Sequence, residues 1–223
     1  MTALHRQAHL RRCRQHVHWN LNMWRNVMFS DESTFCFRQL DHRSKCGEDV
    51  ESAMLIAALI VGGGSVMVWG GISHTGKTRL VIIGDSLNAE RYRDEILQPV
   101  AIPYLHRLGT NPILQDDNAH PHGAGFIRDY LQNLGVERME WPASSPDLNP
   151  IQHVWDQFGH AVCARVTNTT MLADLRQMLV EEWGAIPQQC VIRLVTSMRR
   201  RCQAVVAMYG SYTRYWGSCL LNE

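Results

Sequence analysis

The amino-acid sequence predicts an α/β protein built on a mixed sheet of five strands, with helices on its faces and extra helices at the C-terminal end. The strand-like and helical segments follow in the order β, β, β, α, β, α, β, α. Hairpins make the first strands antiparallel, whereas helical crossovers make the later ones parallel. A chain of 223 residues, 45% hydrophobic and 19% charged, is large enough for one sizeable core.

Strand signals are runs of aliphatic and aromatic residues bounded by Gly, Pro or polar residues. Residues 65–73 and 79–83 flank the turn His74-Thr-Gly-Lys77 and are expected to form a hairpin. The apolar residues of 27–37 suit a pair of short strands. The predicted strand segments are 27–37, 65–73, 79–83, 111–117 and 136–140.

Helical segments are delimited by capping residues, glycines and prolines. Asn88 is a good N-cap residue, and Pro99 and Pro103 are expected to bend the helix that follows it. Asn149 followed by Pro150 starts another helix, because proline is tolerated at the first helical position. The predicted helices cover about residues 2–19, 88–108, 123–133, 150–162, 170–183 and 187–208.

This order of elements brings three acid-bearing or polar segments to one edge of the sheet. Asp31 is expected to end or interrupt the first strand, and Asp116 and Asp117 end the fourth. The helix that begins near Asn149 follows the fifth strand. Ligands of such sheets gather at strand ends, so the sequence predicts a site where these three segments meet.

The composition excludes several classes of protein. Seven widely spread cysteines form no Cys-x-x-Cys pair, and no secretory signal leads the chain, which predicts free thiols inside the cell. The longest apolar run, residues 53–61, is too short to span a bilayer. Gly62-Gly-Gly64 precedes a strand and lacks the Lys-Ser/Thr of a phosphate-binding loop, so nucleotide binding is not expected.

Positive charge is concentrated near the two ends, although the net charge is only +1. Residues 1–30 contain five arginines and four histidines but no acid, and Arg199-Arg-Arg201 forms a second cluster. Such patches suit a polyanion. They also suit a solvated helix face, and both interpretations stay open. Four tryptophans among apolar residues are assigned to the core: Trp69, Trp141, Trp155 and Trp183.

Four motifs in order resemble the catalytic domain of mariner-like DNA transposases of the Tc/mariner superfamily. They are Phe29-Ser-Asp-Glu-Ser33, Gly63-Gly-Ser-Val-Met-Val-Trp-Gly70, Leu114-Gln-Asp-Asp-Asn-Ala-His-Pro-His122 and Ser145-Pro-Asp-Leu-Asn-Pro-Ile-Gln-His-Val-Trp155. The resemblance covers roughly residues 5–200. It implies a ribonuclease-H-like fold, an Asp, Asp, Glu/Asp triad holding two Mg²⁺ or Mn²⁺ ions, and metal-dependent cutting and joining of DNA.

The resemblance also implies which residues form the catalytic triad. Asp31 matches the first catalytic Asp, and Asp117, directly before Asn118, matches the second; both are expected to bind metal. Asp116 is the alternative second acid. In the family branch with Ser-Pro-Asp-Leu-Asn-Pro-Ile-Glu, thirty-four residues separate the Glu from the second Asp, and here the same spacing from Asp117 leads to Gln152.

Gln152 has a structural interpretation and a chemical one. Three residues after Asn149, it can complete a capping box as well as Glu does. At a Mg²⁺ site, however, Gln lacks a full negative charge, and its NH₂ is a donor that cannot bind a cation. The sequence therefore predicts a weakly bound second metal and impaired turnover. Rescue by Asp147 or Asp156 would require the helix to shift, and a solvated or salt-bridged role is expected for Asp156.

The polar run after Asp117 and the basic patches supply the candidate DNA contacts. A zinc site at His120 and His122 is not favoured, because His-Pro-His without a nearby Cys fits no common closed zinc site. DNA contact or support of the catalytic acids is the expected role for this run. The candidate nucleic-acid-binding residues are Arg11, Arg12, Asn118, His122, Arg199 and Arg200.

The expected organisation is a basic N-terminal helix and linker (1–24), a catalytic domain (25–165) and a C-terminal helical extension (166–223). About thirty residues before Asp31 leave no room for the paired helix-turn-helix modules of full-length members, so a truncated domain is expected. The predicted partner is DNA, and a homodimer stays open as an alternative to a monomer. Neither a membrane nor a small-molecule substrate is expected, and the predicted location is the nucleus. A working nuclease, a domesticated non-enzymatic DNA- or protein-binding module and a decayed copy stay open as alternatives.

Overall fold

The computed structural model describes residues 1–36, 65–84, 86–117, 122–142, 145–165 and 172–213. Two short helices come first, α1 (Ala3–His16) and α2 (Leu21–Arg25). Their N-caps follow from the sequence, since the side chains of Thr2 and Asn20 accept hydrogen bonds from the backbone N–H groups of His5 and Met23. Helix α1 ends at His16, three residues earlier than the predicted end near Trp19.

The strands are β1 (Val27–Cys36), β2 (Ser65–Ser73), β3 (Gly76–Lys77), β4 (Val81–Ile83), β5 (Ile113–Gln115) and β6 (Glu137–Arg138). Their order in the sheet is β3-β2-β1-β5-β6, with β4 also paired to β2. The pairs β1–β2, β2–β3 and β2–β4 are antiparallel, whereas β1–β5 and β5–β6 are parallel. The predicted mixed sheet is therefore confirmed, and the described part of the chain gives it six strands instead of five.

Strand β1 corrects two of the sequence predictions. It is a single continuous strand rather than a pair of short ones. Asp31 neither ends nor interrupts it, because the residue lies in the middle, in register with Gly70 of β2. The long antiparallel pairing with β2, from Phe29–Ile72 to Cys36–Ser65, supplies the ladder that keeps this polar segment extended.

The helix predicted after Asn88 is present and changes helix type along its length. Helix α3 consists of Ala89–Arg91, a π-helical segment Tyr92–Ala101 and the α-helical Ile102–Leu108. Pro99 lies within the π-helical segment, where its missing N–H cannot make the usual i→i−4 hydrogen bond. The π-helical segment begins with the buried Tyr92, whose hydroxyl group reaches the Asp116 carboxylate.

The remaining helices are α4 (Gly125–Asn133), α5 (Pro150–Arg165), α6 (Leu172–Ala185), α7 (Gln188–Thr196) and α8 (Met198–Ala207), with a 3-10 turn at Pro146–Leu148. The single helix predicted over 187–208 is thus two helices, divided at Ser197. None of the described helices is both long and apolar enough to cross a membrane.

The sheet has a hydrophobic cluster on each face. One cluster packs α1, α2 and α5–α8 against residues such as Phe29 and Phe35 of β1, and the other packs α3 and α4 against Met28. Since side chains alternate along a strand, Asp31 faces the side of α5 and Glu32 faces the side of α3. The four tryptophans assigned to the core are all buried. Gly70 allows the close approach of Trp155 and Trp183, because a Cβ there would lie 2.8 Å from the Trp183 ring.

Candidate active site

Asp31 is held by two donors from helix α5. The side-chain Nε2 of Gln152 donates to Asp31 Oδ2 at 2.6 Å, and the indole Nε1 of Trp155 donates to the same oxygen at 3.2 Å. Gln152 and Trp155 are three residues apart and therefore lie on one face of the helix. Trp155 is fixed in turn by stacking on Trp183, with 5.1 Å between ring centroids. The carboxylate of Asp31 thus has a defined orientation.

The predicted capping box at the start of α5 is absent. The backbone N–H of Gln152 donates to the Asn149 carbonyl at 3.2 Å, as the helix requires, but its side chain points to Asp31. The Oδ1 of Asn149 is buried without a hydrogen-bond partner among the described residues. The prediction failed because the Gln152 side chain has two competing hydrogen bonds. Donating to the buried Asp31 carboxylate is stronger than accepting from a backbone N–H at the helix end.

Two nearby carboxylates affect the pKa of Asp31. Burial raises the pKa of Asp31 well above its ordinary value, and the nearby Glu32 and Asp117 raise it further. The hydrogen bond from Trp155 acts in the opposite direction. Like charges in one place favour either a proton or a bound cation, so the arrangement suits cation binding.

Asp117 lies just beyond β5 and is joined to Glu32 through His122. The Nδ1 of His122 donates to Asp117 Oδ1 at 2.8 Å, and its Nε2 lies 3.2 Å from Glu32 Oε1. Burial alone would lower the pKa of His122, but the hydrogen bonds to Asp117 and Glu32 outweigh it and raise the pKa to about 10. His122 is therefore a buried cation between two carboxylates, and these three residues form the only potential metal-ligating cluster among the described residues.

Asp116 has a different environment from its neighbour Asp117. Its buried carboxylate accepts from Arg138 Nε at 2.8 Å and from the Tyr92 hydroxyl at 3.5 Å. Burial raises the pKa of Asp116 to about 6, against the opposing effect of Arg138. The side chain of Asp117, by contrast, is 45% exposed. This geometry favours Asp117 as the second acid of the site, since Asp116 is engaged in a buried ion pair.

Neither Asp147 nor Asp156 lies where it could replace the third carboxylate of the site. Asp147 is fully buried, and its carboxylate contacts His9 Nε2 at 3.2 Å and the Thr213 hydroxyl at 3.0 Å. Asp156 lies on the exposed side of α5, 3.6 Å from His160, as the solvated interpretation predicted.

The candidate DNA-binding side chains differ in their exposure to solvent. Arg11, Arg199 and Arg200 are exposed. Arg12 is buried, with its guanidinium 5.6 Å from the centre of the Trp141 ring, and burial lowers its pKa to about 10. Its enclosure argues against a phosphate contact in this conformation. His122 is occupied by the two acids, and Asn118 lies outside the described residues.

Four contacting residues were not identified as site residues from the sequence: Glu32, Tyr92, Arg138 and Trp155. Two signals could have identified some of them. Glu32 follows Asp31 directly in the Ser-Asp-Glu motif, and Trp155 is three residues after Gln152 on the same helix face. Tyr92 and Arg138 come from distant segments, and no sequence signal connects either to the acids.

Comparison with known proteins identifies relatives for most of the chain. The family described as DDE superfamily endonuclease matches residues 26–172. The Tcb2 transposase of Caenorhabditis briggsae is 34% identical over 208 residues, which cover 91% of this chain and 75% of the relative. The Tc1 transposase of Caenorhabditis elegans is 32% identical over 219 residues, which cover 94% of this chain and 78% of the relative.

Solved structures of a mariner transposase share the fold. The Mos1 transposase catalytic domain with Raltegravir and Mn aligns with a TM-score of 0.71 and 19% identity, covering 96% of this chain and 98% of that one. The Mos1 paired-end complex with the left transposon end gives a TM-score of 0.73 at 19% identity, covering 95% of this chain and 64% of that one. The expected ribonuclease-H-like fold is confirmed.

Proposed function

We infer the function of this chain from the fact that it belongs to the DDE superfamily endonuclease family and is a mariner-like transposase domain. We propose that Asp31 and Asp117 are its metal-binding acids. We propose further that Gln152 impairs its cutting of DNA. The single observation that carries the proposal is the 2.6 Å hydrogen bond from Gln152 Nε2 to Asp31 Oδ2. It supports the assignment of residue 152 as the third position of the site, where the chain has an N–H donor instead of a carboxylate.

The acids suit a hard cation such as Mg²⁺ or Mn²⁺. Asp31 and Asp117 offer oxygen ligands, and burial together with the nearby Glu32 and Asp117 raises the pKa of Asp31, an effect that a bound cation would counteract. A bound metal would supply Lewis-acid activation of water or a 3′-hydroxyl and charge stabilisation at the scissile phosphate. The chain's own part is to fix the acids: Trp155 orients Asp31, and the end of β5 presents Asp117.

Gln152 opposes metal binding in two ways. It leaves the site one negative charge short, and its N–H group competes for the Asp31 oxygen that a cation would use. With Gln at this position the second metal would bind weakly, because an amide is a poorer ligand for Mg²⁺ than a carboxylate. Turnover would therefore fall by orders of magnitude, while the fold is retained.

Asp117 and Asp116 make a matched pair for testing the site. In a chain carrying Gln152→Glu, so that all three acids are present, Asp117→Asn is expected to reduce metal-dependent nicking of plasmid DNA about 100-fold or more. Asp116→Asn should instead lower the melting temperature, because Arg138 loses its buried partner, and should leave nicking per folded molecule much less affected. A larger loss of nicking with Asp116→Asn than with Asp117→Asn would reverse the assignment.

A non-enzymatic DNA-binding module is the second candidate function. Helices α1 and α8 pack together, and the exposed Arg11, Arg14, Arg199 and Arg200 lie on these two helices. Such a pair of basic helices would bind the DNA backbone without reading sequence. This activity would not need the acids, so it would survive Asp31→Asn. A homodimer, nuclear location and the three-part division of the chain remain predictions.

The basic surface can be tested by its salt dependence. Arg199→Ala combined with Arg200→Ala should weaken binding to unrelated DNA duplexes by a similar factor and lower the slope of log affinity against log salt by about one per arginine. The matched control is Arg165→Ala, because Arg165 is an exposed arginine paired with Glu181 and Glu182. Equal effects of the double variant and the control would assign the contacts to another surface.

A further inference from the structure

The imidazole of His122 connects two carboxylates that come from different strands. Its Nδ1 donates to Asp117 Oδ1 at 2.8 Å, beyond β5, and its Nε2 faces Glu32 Oε1 of β1 at 3.2 Å. Glu32 is the immediate neighbour of Asp31. The ring therefore sets the position of Asp117 relative to the strand that carries Asp31.

The ring itself is immobilised by its surroundings. His122 is 1% exposed and lies against the buried Tyr92 ring, with 4.2 Å between centroids. Tyr92 is anchored by its hydroxyl to Asp116, and Asp116 is paired with Arg138. A side chain enclosed in this way holds its partner in one orientation, as the outer residues of metal sites do for the ligands they contact.

Asp117 needs such support more than Asp31 does. Its side chain is 45% exposed, and it lies two residues past the end of β5, where the strand ladder no longer fixes it. Arg138 Nη2 donates to the backbone carbonyl of Asp117 at 3.2 Å, which holds the main chain but not the carboxylate. The contact from His122 acts on the carboxylate itself.

We propose that His122 is a positioning residue that orients the Asp117 carboxylate for metal binding, using Glu32 as its own anchor. The proposal rests on the proposed function, because it takes Asp117 as a metal-binding acid. His122 does not contact the metal in this role. It acts through Asp117, and it links β1 to the end of β5 on the face of the sheet opposite Gln152.

Two substitutions of His122 separate positioning from simple packing. In His122→Asn the amide nitrogen takes the place of Nδ1, so donation to Asp117 is kept and the contact with Glu32 is lost. In His122→Gln the amide nitrogen takes the place of Nε2, so the contact with Glu32 is kept and donation to Asp117 is lost. Both remove the aromatic contact with Tyr92 and the positive charge equally.

The measurement is Mn²⁺ binding, followed by electron paramagnetic resonance, to the full chain carrying Gln152→Glu. His122→Gln is expected to weaken Mn²⁺ binding about 10-fold or more, whereas His122→Asn, which keeps the donor to Asp117 but loses the Glu32 anchor, should weaken it clearly less. His160→Gln, the same change on the exposed side of α5, should leave Mn²⁺ affinity unchanged. Thermal unfolding of each variant reports its packing separately.

The outcomes distinguish this inference from the function on which it rests. If Asp117→Asn weakens Mn²⁺ binding but the two His122 variants weaken it equally, or not at all, His122 is not a positioning residue and the proposed function stands. If Asp117→Asn leaves Mn²⁺ binding unchanged, the proposed function fails and the role of His122 fails with it.

Discussion

Replacing Gln152 with Glu should convert this chain into a Mg²⁺- or Mn²⁺-dependent DNA nickase, with a gain of about 100-fold or more over the parent. The side chain already points at Asp31, so the new carboxylate would enter the site without a shift of helix α5. It would restore one negative charge and remove the competing N–H donor. The backbone of α5 should be unaffected, since Gln152 makes its helical hydrogen bond through the main chain.

Nicking of supercoiled plasmid, compared between the parent and Gln152→Glu, measures this directly. The control is Asp31→Asn in the Gln152→Glu chain, which should abolish the signal and exclude a contaminating nuclease. Equal nicking by parent and variant, with the control inactive, would show that glutamine suffices and that the chain is a working nuclease. A chain that stays insoluble on expression would favour a decayed copy.

The second large effect is expected on stability, from Asp147→Ala. Asp147 is fully buried and joins three parts of the chain, because its carboxylate contacts His9 of α1 at 3.2 Å and accepts from the backbone N–H of Thr213 at 3.1 Å. Its backbone carbonyl accepts from the buried Arg201 at 2.8 Å. Removing the carboxylate leaves buried polar partners unsatisfied, so the free energy of unfolding should fall by about 3–5 kcal/mol.

Urea unfolding of the full chain measures this loss. Asp147→Asn, which keeps one acceptor oxygen, should recover part of it. Asp156→Ala is the matched control, because Asp156 lies on the exposed side of α5 and its removal should change stability little. Similar losses for Asp147→Ala and Asp156→Ala would mean that the buried network contributes nothing specific.

The sequence predicted the arrangement of the elements well, because that information is local. Apolar runs, caps and prolines located the described helices except the short α2, and Ser197 divides one of them. The alternation of strands and helices gave the mixed sheet. The errors occurred where non-local pairing overrides local pattern, as in β1, which the ladder with β2 holds extended through its polar centre at Asp31.

The sequence predicted which positions belong to the candidate site, but not what the side chains at these positions contact. The resemblance and its motif spacing predicted Asp31, Asp117 and residue 152 as site residues, and the structure brings the segments of Asp31 and Gln152 into contact. The capping box failed because the local signal of Asn149 and Gln152 competes with a carboxylate 121 residues away in the chain. Arg12 shows the same limit, since its charge suggested DNA contact, whereas packing encloses it against Trp141.

The sequence by itself determined the fold class through periodicity and the order of its elements, and the family through the resemblance of its motifs, which also predicts that a carboxylate is missing at residue 152. Only the tertiary structure decided what each polar side chain binds. Gln152 donates to Asp31, His122 bridges Asp117 to Glu32, and Asp147 is buried with His9. The physical reason is that a hydrogen bond or ion pair depends on distance and burial, and both are set by elements far apart in sequence that pack together only in the folded chain.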